Sequence, residues 1–253
     1  MHCFFKKAGY SARTGFVALT FASAALVSDA TNSPHYLSER NLAVQLLPAP
    51  PLPGSSEQTY DLAEVTLAHR ALPSVDETLV RSEKRVYLTS FADAIGGVFQ
   101  TNRFPKAEAF LRRVLEDTDI EVNAGKELWK RPRPYLVDTN LLMEGESEKL
   151  SGSYPSGHST RATVLALILA EMFPERREAI LSRGREIGWH RVVLAKHYPT
   201  DIYAGRVLAQ AIVFQLKLNR NFRHDFKAAQ AEIRTWMREH PWNSQRALAQ
   251  RAP

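Results

Sequence analysis

The segment 157–173 constrains the fold most, because it is apolar on nearly every side. Its second half reads "TVLALILAEMF" and is followed directly by Pro174. A helix that is apolar all round has to be enclosed by other elements, and a proline ends the helix that precedes it. The sequence therefore predicts a central helix that stops at Phe173 and is surrounded by further helices.

Apolar residues at three- and four-residue spacing, with charges between them, predict these further helices. They lie in seven segments, at 60–72, 78–98, 105–116, 121–130, 175–196, 199–218 and 225–239. Alternating strand patterns and internal repeats are absent. We predict an all-α fold, a compact helical bundle over 60–220. A Pro- and Ser-rich extended arm at 31–59 precedes it, and a basic, partly helical C-terminal tail at 221–253 follows it.

The first thirty residues have the composition of an export signal. Lys6, Lys7 and Arg13 precede an apolar stretch at 15–27, and small residues surround the end at Ala30. This order predicts a signal peptide cleaved after Ala30. A short membrane anchor is the alternative, but thirteen residues fall below the roughly 20 that span a bilayer. We expect a periplasmic rather than a secreted protein, with no membrane contact in the mature form.

The stretch "SYPSGHS" at 153–159 predicts a helix start with a histidine in its first turn. Pro155 keeps Tyr154 out of a helix, and Ser156 is a good N-cap for a helix that opens at Gly157. Free backbone N–H groups at such an end attract an anion, and Gly157 allows close approach. The alternative is a plain capping turn with a structural His158.

A second candidate site is "HYPTD" at 197–201. Pro199 suits the first position of a helix, which puts Asp201 in its first turn and His197 just before it. A carboxylate that accepts a hydrogen bond from one imidazole nitrogen leaves the other free to act as a nucleophile. The alternative is a loop histidine, with Asp201 complementing the helix dipole. Arg191 lies on an otherwise apolar stripe and needs an anionic partner.

The third candidate is "KELWKRPRP" at 126–134. Its two prolines end a helix, so Lys126 lies on the last turn and Arg133 in an extended segment. Four cations within this stretch also fit a solvated basic face or a nucleic-acid contact. Composition alone favours the solvated face.

Together the three segments resemble the signature of the type 2 phosphatidic acid phosphatase superfamily, most closely its soluble branch, the bacterial class A nonspecific acid phosphatases. The motifs run Lys126-x6-Arg133-Pro134, Pro155-Ser-Gly-His158 and Arg191-x5-His197-x3-Asp201. The resemblance covers residues 46–218. It implies an acid phosphatase for small phosphate monoesters, without cofactor, metal site or nucleic-acid partner. Homo-oligomers are compatible with this family.

The resemblance also implies roles for the motif residues. His197 would be the nucleophile, His158 the general acid and base, and Asp201 the group that orients His197. The phosphate would be held by Lys126, Arg133, Ser156, Gly157 and Arg191.

One position departs from the family pattern. His190 stands where the family usually has a serine that helps to hold the phosphate. Its imidazole either donates a hydrogen bond in place of the serine or packs beside Ile187 and Leu194.

Three other functions are alternatives to an acid phosphatase. A vanadium-dependent haloperoxidase uses the same kind of oxyanion site. A lipid phosphatase of the superfamily normally carries several membrane-spanning helices, which this sequence lacks. An exported polyanion-binding protein without enzymatic activity would use the basic segment at 126–134 and the Arg-rich tail, in keeping with the mild net charge of +6.

Overall fold

The computed structural model describes residues 35–38, 40–70, 83, 85–95, 103–142 and 151–239. Within these ranges the chain forms helices and connecting turns without a strand, which confirms the all-α prediction. Outside the described residues lie the predicted signal peptide, residues 78–82, 84 and 96–98 of the predicted helix 78–98, and the end of the tail at 240–253. The prediction of one helix at 78–98 was wrong for residues 85–95, which form irregular backbone, a 3₁₀ turn at Leu88–Phe91 and a short α-helix at Ala92–Ile95. The Ser90 hydroxyl accepts the Tyr87 N–H at 3.1 Å, which starts a new turn at this point. In the described part of the chain, no helix combines the length and apolar character needed to cross a bilayer.

Nine α-helices account for most of the described residues. They are α1 (Leu42–Leu46), α2 (Ser56–Arg70), α3 (Ala92–Ile95), α4 (Pro105–Trp129), α5 (Pro134–Val137), α6 (Gly157–Met172), α7 (Arg177–Val193), α8 (Pro199–Leu218) and α9 (Arg220–Glu239). Short 3₁₀ turns lie at Leu88–Phe91, Thr139–Leu141 and Pro174–Arg176.

Helix α6 is the centre of the bundle, as its all-round apolar sequence predicts. It packs mainly against α7 and α8, and Leu165 and Leu169 are fully buried. The helix ends at Met172, one residue before the predicted end, and Pro174 opens the following 3₁₀ turn. Because α6 is fixed on several sides, the residues at its N-terminus are held in a defined position.

Helix α4 replaces two helices expected at 105–116 and 121–130. It runs without a break through "DTDI" at 117–120, four residues of lower helix propensity. The reason is tertiary: Asp117, Thr118 and Glu121 continue the buried stripe begun by Phe110 and Val114. The Thr118 hydroxyl donates to the Val114 carbonyl oxygen at 2.8 Å, and both carboxylates accept hydrogen bonds from the arm.

These two carboxylates hold the N-terminal arm against α4. Asp117 accepts the backbone N–H groups of residues 35, 36 and 37, and Glu121 accepts those of Asn41 and Ala43. A region predicted to contain no regular element therefore includes α1, whose Leu42 and Ala43 are buried. The prediction was wrong there because polar partners on α4 compensate for the poor local propensity. Helix α2 also begins earlier than expected, at Ser56.

The basic tail contributes a helix to the bundle. The sequence predicted a helix at 225–239, and α9 begins earlier, at Arg220. Phe222, Ala229 and Ile233 are buried, and α9 packs against α4. The Phe222 ring lies 5.2 Å from that of Phe110, centroid to centroid. For residues 220–239, the tail is an amphipathic helix that closes the bundle.

Close packing between α6 and α8 depends on Gly205, and this gives a first prediction. A Cβ atom at this position would lie 2.8 Å from the Ser156 carbonyl oxygen and 3.0 Å from the Ser159 Cβ. We expect Gly205→Ala to lower the free energy of unfolding by about 1–3 kcal/mol, although alanine is the better helix former. Thermal or urea unfolding measures the effect.

Gln210→Ala, at an exposed position on the same helix, is the control and should leave stability nearly unchanged. A Gly205→Ala protein as stable as the parent would show that the helices can separate at little cost.

Candidate active site

A cavity of about 220 Å³ lies where the ends of α4, α6 and α7 meet the segment before α8. Six residues singled out in the sequence line it: Lys126, Arg133, Gly157, His158, Arg191 and His197. Residues from all three motifs, up to 71 positions apart in the sequence, thus meet at one cavity. Among these six residues are two histidines and three cations, which makes the cavity suited to an anion.

The N-terminus of α6 forms one wall of the cavity. As predicted, Ser156 is the N-cap, and its hydroxyl accepts the Ser159 N–H at 3.4 Å. Gly157 and His158 follow in the first turn and line the cavity. Ser156 is fully buried, and its backbone N–H donates to the Asp201 carbonyl oxygen at 3.0 Å. That N–H was expected to bind phosphate. It instead joins α6 to α8.

The last turn of α4 and the segment after it supply two cations of the cavity wall, Lys126 and Arg133. Lys126 lies on the last turn, and Lys130 closes the helix in the left-handed conformation with φ 45°. Arg133 follows in extended backbone, as the two prolines predict. It is buried and donates from Nη1 to the Lys196 carbonyl oxygen at 2.8 Å, and from Nε to the Ser151 carbonyl oxygen at 3.1 Å. These bonds fix the guanidinium in the cavity wall.

His197 lies at the base of the cavity between Arg133 and Asp201. Its Nε2 atom is 3.2 Å from Arg133 Nη1, and its Nδ1 atom is 3.4 Å from Asp201 Oδ2. The second distance is an ion-pair separation, and Nδ1 does not reach hydrogen-bond geometry. Asp201 therefore acts on the ring through its charge, and Nε2 is the atom that faces the cations.

The surroundings of His197 keep the imidazole neutral. Burial lowers its pKa well below the ordinary value, and the charges of Arg133, Lys126 and Arg191 lower it further. Arg191 is itself buried, at 5% exposure, beside the cavity. Arg133 Nη1 can only donate, so Nε2 accepts in their 3.2 Å contact and carries the lone pair. A neutral imidazole with its lone pair on Nε2 is the form that can attack an electrophile once an anion takes over the Arg133 donor.

Asp201 belongs to a buried ion-pair network that sequence reasoning missed. Arg131 donates to Asp201 Oδ1 and to Asp61 Oδ2, both at 2.7 Å, and all three side chains are nearly inaccessible. Asp201 Oδ2 also accepts the Tyr198 N–H at 2.9 Å. Burial raises the pKa of Asp201, while Arg131 and this N–H counteract the rise.

No signal in the sequence separates the role of Arg131 from that of Arg133. The two arginines flank Pro132, and in extended backbone residues two positions apart share one face, which predicts both side chains on the same side. In the structure Arg133 lines the cavity, whereas Arg131 pairs with buried carboxylates. Asp61 lies on a helical pattern and carries no signal either.

His190 is not a cavity residue. Its Nδ1 atom lies 2.8 Å from Glu83 Oε2, and its Nε2 atom lies 3.8 Å from Glu186 Oε1. Neither expectation for this position named this partner: the ring is not among the residues that line the cavity, and its close polar contact is a carboxylate. A pairing with Glu83 could not be read from the sequence, because the two residues are 107 positions apart.

The cavity also contains charged residues that no motif indicated. Lys196 lines it beside His197, and Arg161 lines it from α6. Arg161 forms a bidentate ion pair with Asp119 of α4, and both side chains are about one-third exposed. Among the residues that the structure describes, no group of three or more His, Cys, Asp or Glu side chains is arranged to hold a metal ion.

Comparison with known proteins places the chain in a family. Residues 114–224 match the PAP2 superfamily. An acid phosphatase of Zymomonas mobilis is 30% identical over 213 residues, which is 81% of this chain and 80% of that protein. Non-specific acid phosphatases of Providencia stuartii and Salmonella typhimurium are 32% and 29% identical over 57% and 56% of this chain. Those two matches cover 60% and 59% of the relatives' length.

The chain therefore belongs to the PAP2 superfamily and, within it, to the acid phosphatases. It is a phosphatase enzyme, so the alternative of a non-enzymatic polyanion-binding protein is not supported.

The pKa of His197 gives a second prediction. Because the folded-state pKa is lowered, the ring should stay neutral as the pH falls through about 6.5 and take up its proton only well below that value. The unfolded chain binds this proton first, so His197 also reduces the free energy of unfolding as the pH falls through the same window. ¹⁵N imidazole NMR, assigned with His197→Asn, measures the titration.

The same protein unfolded in urea provides the reference titration. A midpoint in the folded protein at or above that of the unfolded chain would contradict the electrostatic description of the cavity.

The Arg131 network gives a third prediction. Arg131→Gln leaves the carboxylates of Asp61 and Asp201 buried without their cation. We expect the free energy of unfolding to fall by about 3–5 kcal/mol at neutral pH, measured by urea denaturation. Arg112→Gln, in an exposed ion pair with Glu116, is the control and should change stability by less than about 0.5 kcal/mol.

The double variant Arg131→Gln with Asp61→Asn should recover part of the loss, because one of the uncompensated charges is removed. A loss in Arg131→Gln no larger than in the control would mean that the buried carboxylates do not depend on Arg131.

Proposed function

We propose that the protein is an exported acid phosphatase that hydrolyses phosphate monoesters through a phosphohistidine intermediate, without a metal ion. The observation that carries this proposal is the position of His197 Nε2, buried in a cavity and 3.2 Å from the Arg133 guanidinium. A neutral nucleophile next to fixed cations suits attack on a phosphoryl group, whose charge is spread over its equatorial oxygens in the transition state.

In the first step, the cations of Lys126, Arg133 and Arg191 bind the phosphoryl oxygens. The lone pair of His197 Nε2 attacks phosphorus in line with the ester oxygen. The N–P bond forms as the P–O bond to the leaving group breaks. His158 gives its proton to the leaving oxygen, which departs as an alcohol. Asp201 stabilises the positive charge that the His197 ring acquires.

In the second step, water replaces the alcohol. His158, now neutral, accepts a proton from the water as its oxygen attacks phosphorus, and the N–P bond breaks. Inorganic phosphate forms and His197 is again neutral. Both histidines have then returned to their starting protonation states, which completes the cycle.

The mechanism needs the two histidines in opposite protonation states. His197 has to be neutral, and its lowered pKa favours this form in mildly acidic solution. His158 has to carry a proton to give to the leaving group. We therefore expect a bell-shaped pH profile with an acidic optimum.

Independence from metals is supported by the charge of the cavity. Three cations of the chain can provide the charge stabilisation that Mg²⁺ provides in many phosphoryl-transfer sites. Export is supported by the composition of residues 1–30, and we propose the periplasm as the location.

A fourth prediction tests the mechanism. The full-length chain is produced in a Gram-negative host, and hydrolysis of p-nitrophenyl phosphate is followed over a range of about pH 4–9 with excess chelator. We expect chelator-resistant turnover with an acidic optimum. His197→Ala should reduce it by at least about 1,000-fold, because the nucleophile is removed. Because the N–P bond of phosphohistidine is labile in acid, the reaction is quenched in alkali, and ³²P-labelled substrate should then label the parent on a histidine.

His224→Ala, an exposed histidine outside the cavity, is the matched control and should keep the parent rate. Loss of activity with chelator would refute metal independence. Turnover that survives in His197→Ala would refute the phosphohistidine step. Bromide peroxidation with added vanadate, in place of phosphatase turnover, would indicate the haloperoxidase function.

Export is tested in the same preparation by cell fractionation and by the mass of the protein. We expect activity in the periplasmic fraction and a mass that corresponds to residues 31–253. Activity confined to the cytoplasm, at the full-length mass, would refute export.

A further inference from the structure

Glu83 is buried between two basic side chains of α7. Its side chain is 3% exposed, and its Oε2 atom lies 2.8 Å from His190 Nδ1. The other oxygen, Oε1, accepts a hydrogen bond from Arg183 Nη2. Arg183 is further anchored through Nε to the Ser90 carbonyl oxygen at 3.0 Å. The position of Glu83 is thus fixed by contacts to both of its carboxylate oxygens.

The backbone of the same residue reaches the candidate active site. The Glu83 carbonyl oxygen lies 3.1 Å from His158 Nε2. A carbonyl oxygen can only accept, so Nε2 carries the proton in this contact. The bond fixes the orientation of an imidazole that is half-buried in the cavity wall, and in the imidazolium it leaves the Nδ1 proton as the one to be transferred.

We propose that His190, through Glu83, positions His158 for proton transfer to the leaving group. This inference rests on the proposed function, because it assigns His158 the role of general acid. His190 does not line the cavity, so it acts as a positioning residue and not as a catalytic residue. The chain of contacts runs from His190 to the Glu83 carboxylate, and from the Glu83 carbonyl to His158.

His190 thus has a role different from that of the serine that the family usually has at this position. The serine would contact the anion directly, whereas His190 bonds to Glu83 and so acts on the orientation of His158. Burial makes this control strict, because at 7% and 3% exposure the His190 and Glu83 side chains have little water to take the place of a lost partner.

Loss of the contact between His190 and Glu83 should affect esters differently, according to how much the leaving group needs a proton. A p-nitrophenolate departs readily without a proton, whereas the alkoxide of glycerol 2-phosphate needs one from a general acid. Loss of the positioning contact should therefore slow the alkyl ester more than the aryl ester. A general loss of folded protein or of phosphate binding slows both esters equally.

The fifth prediction uses this difference. kcat/KM is measured for both esters with the parent, His190→Ala and, as reference for complete loss of the acid, His158→Ala. We expect His190→Ala to lower the ratio of alkyl to aryl kcat/KM by about tenfold or more, in the same direction as His158→Ala. His190→Gln, which keeps a donor for Glu83, should restore much of the ratio.

His69→Ala is the matched control, because His69 is a half-buried histidine that bonds to the Val193 carbonyl oxygen at the end of the same helix. It should leave the ratio unchanged. If His190→Ala does not fold, as judged by circular dichroism, Glu83→Gln tests the same contact.

The outcomes separate this inference from the proposed function. If the parent hydrolyses neither ester, the proposed function fails. If the parent hydrolyses both, and the His190 and Glu83 variants leave the ratio unchanged or slow both esters by the same factor, the positioning role is overturned. A changed ratio in His69→Ala of equal size would overturn it as well.

Discussion

The rest of the site depends on the buried ion pairs that Arg131 forms with two aspartates. Its guanidinium joins Asp61 of α2 to Asp201 of α8 and lies 3.9 Å from the centroid of the Tyr198 ring. A charge in this position is costly unless every partner is in place. The network therefore permits one arrangement of α2, α8 and the segment after α4, and that arrangement sets Asp201 beside His197. The position of Asp201 beside His197 thus follows from an interaction that lies behind the cavity.

On the cavity side of His197 the charges are not balanced in this way. Lys126, Arg133 and Arg191 surround the cavity that also holds His197, and Asp201 lies behind that histidine rather than among them. A neutral imidazole among cations is poorly matched electrostatically until an anion binds. Under the proposed function, the substrate phosphate supplies this negative charge, and the same side chains both bind it and stabilise the charged transition state.

Local signals in the sequence predicted most of the helices, whereas the convergence of the three motifs was predicted only through their resemblance to the phosphatase signature. Pro155 with Ser156, and Pro199 with Asp201, specify helix starts through short-range sterics and capping, and these were correct. The two-helix interpretation of 105–129 was wrong, because Asp117 and Glu121 have their partners about 80 residues away in the arm. The roles of Asp61 and Glu83 were missed for the same reason. An isolated carboxylate on a helical pattern does not reveal a distant partner, so such contacts require the structure.

The size of the cavity has a consequence for selectivity. Its roughly 220 Å³ equal the liquid volume of about seven water molecules, enough for a phosphoryl group and little more. Under the proposed function, the rest of the substrate extends beyond this volume, and the partly exposed pair of Arg161 and Asp119 lines the cavity. Under the proposed mechanism, water and alcohols approach the intermediate from the same open side. Partition between hydrolysis and phosphoryl transfer is therefore set by the composition of the surrounding medium, not by a compartment that admits one acceptor.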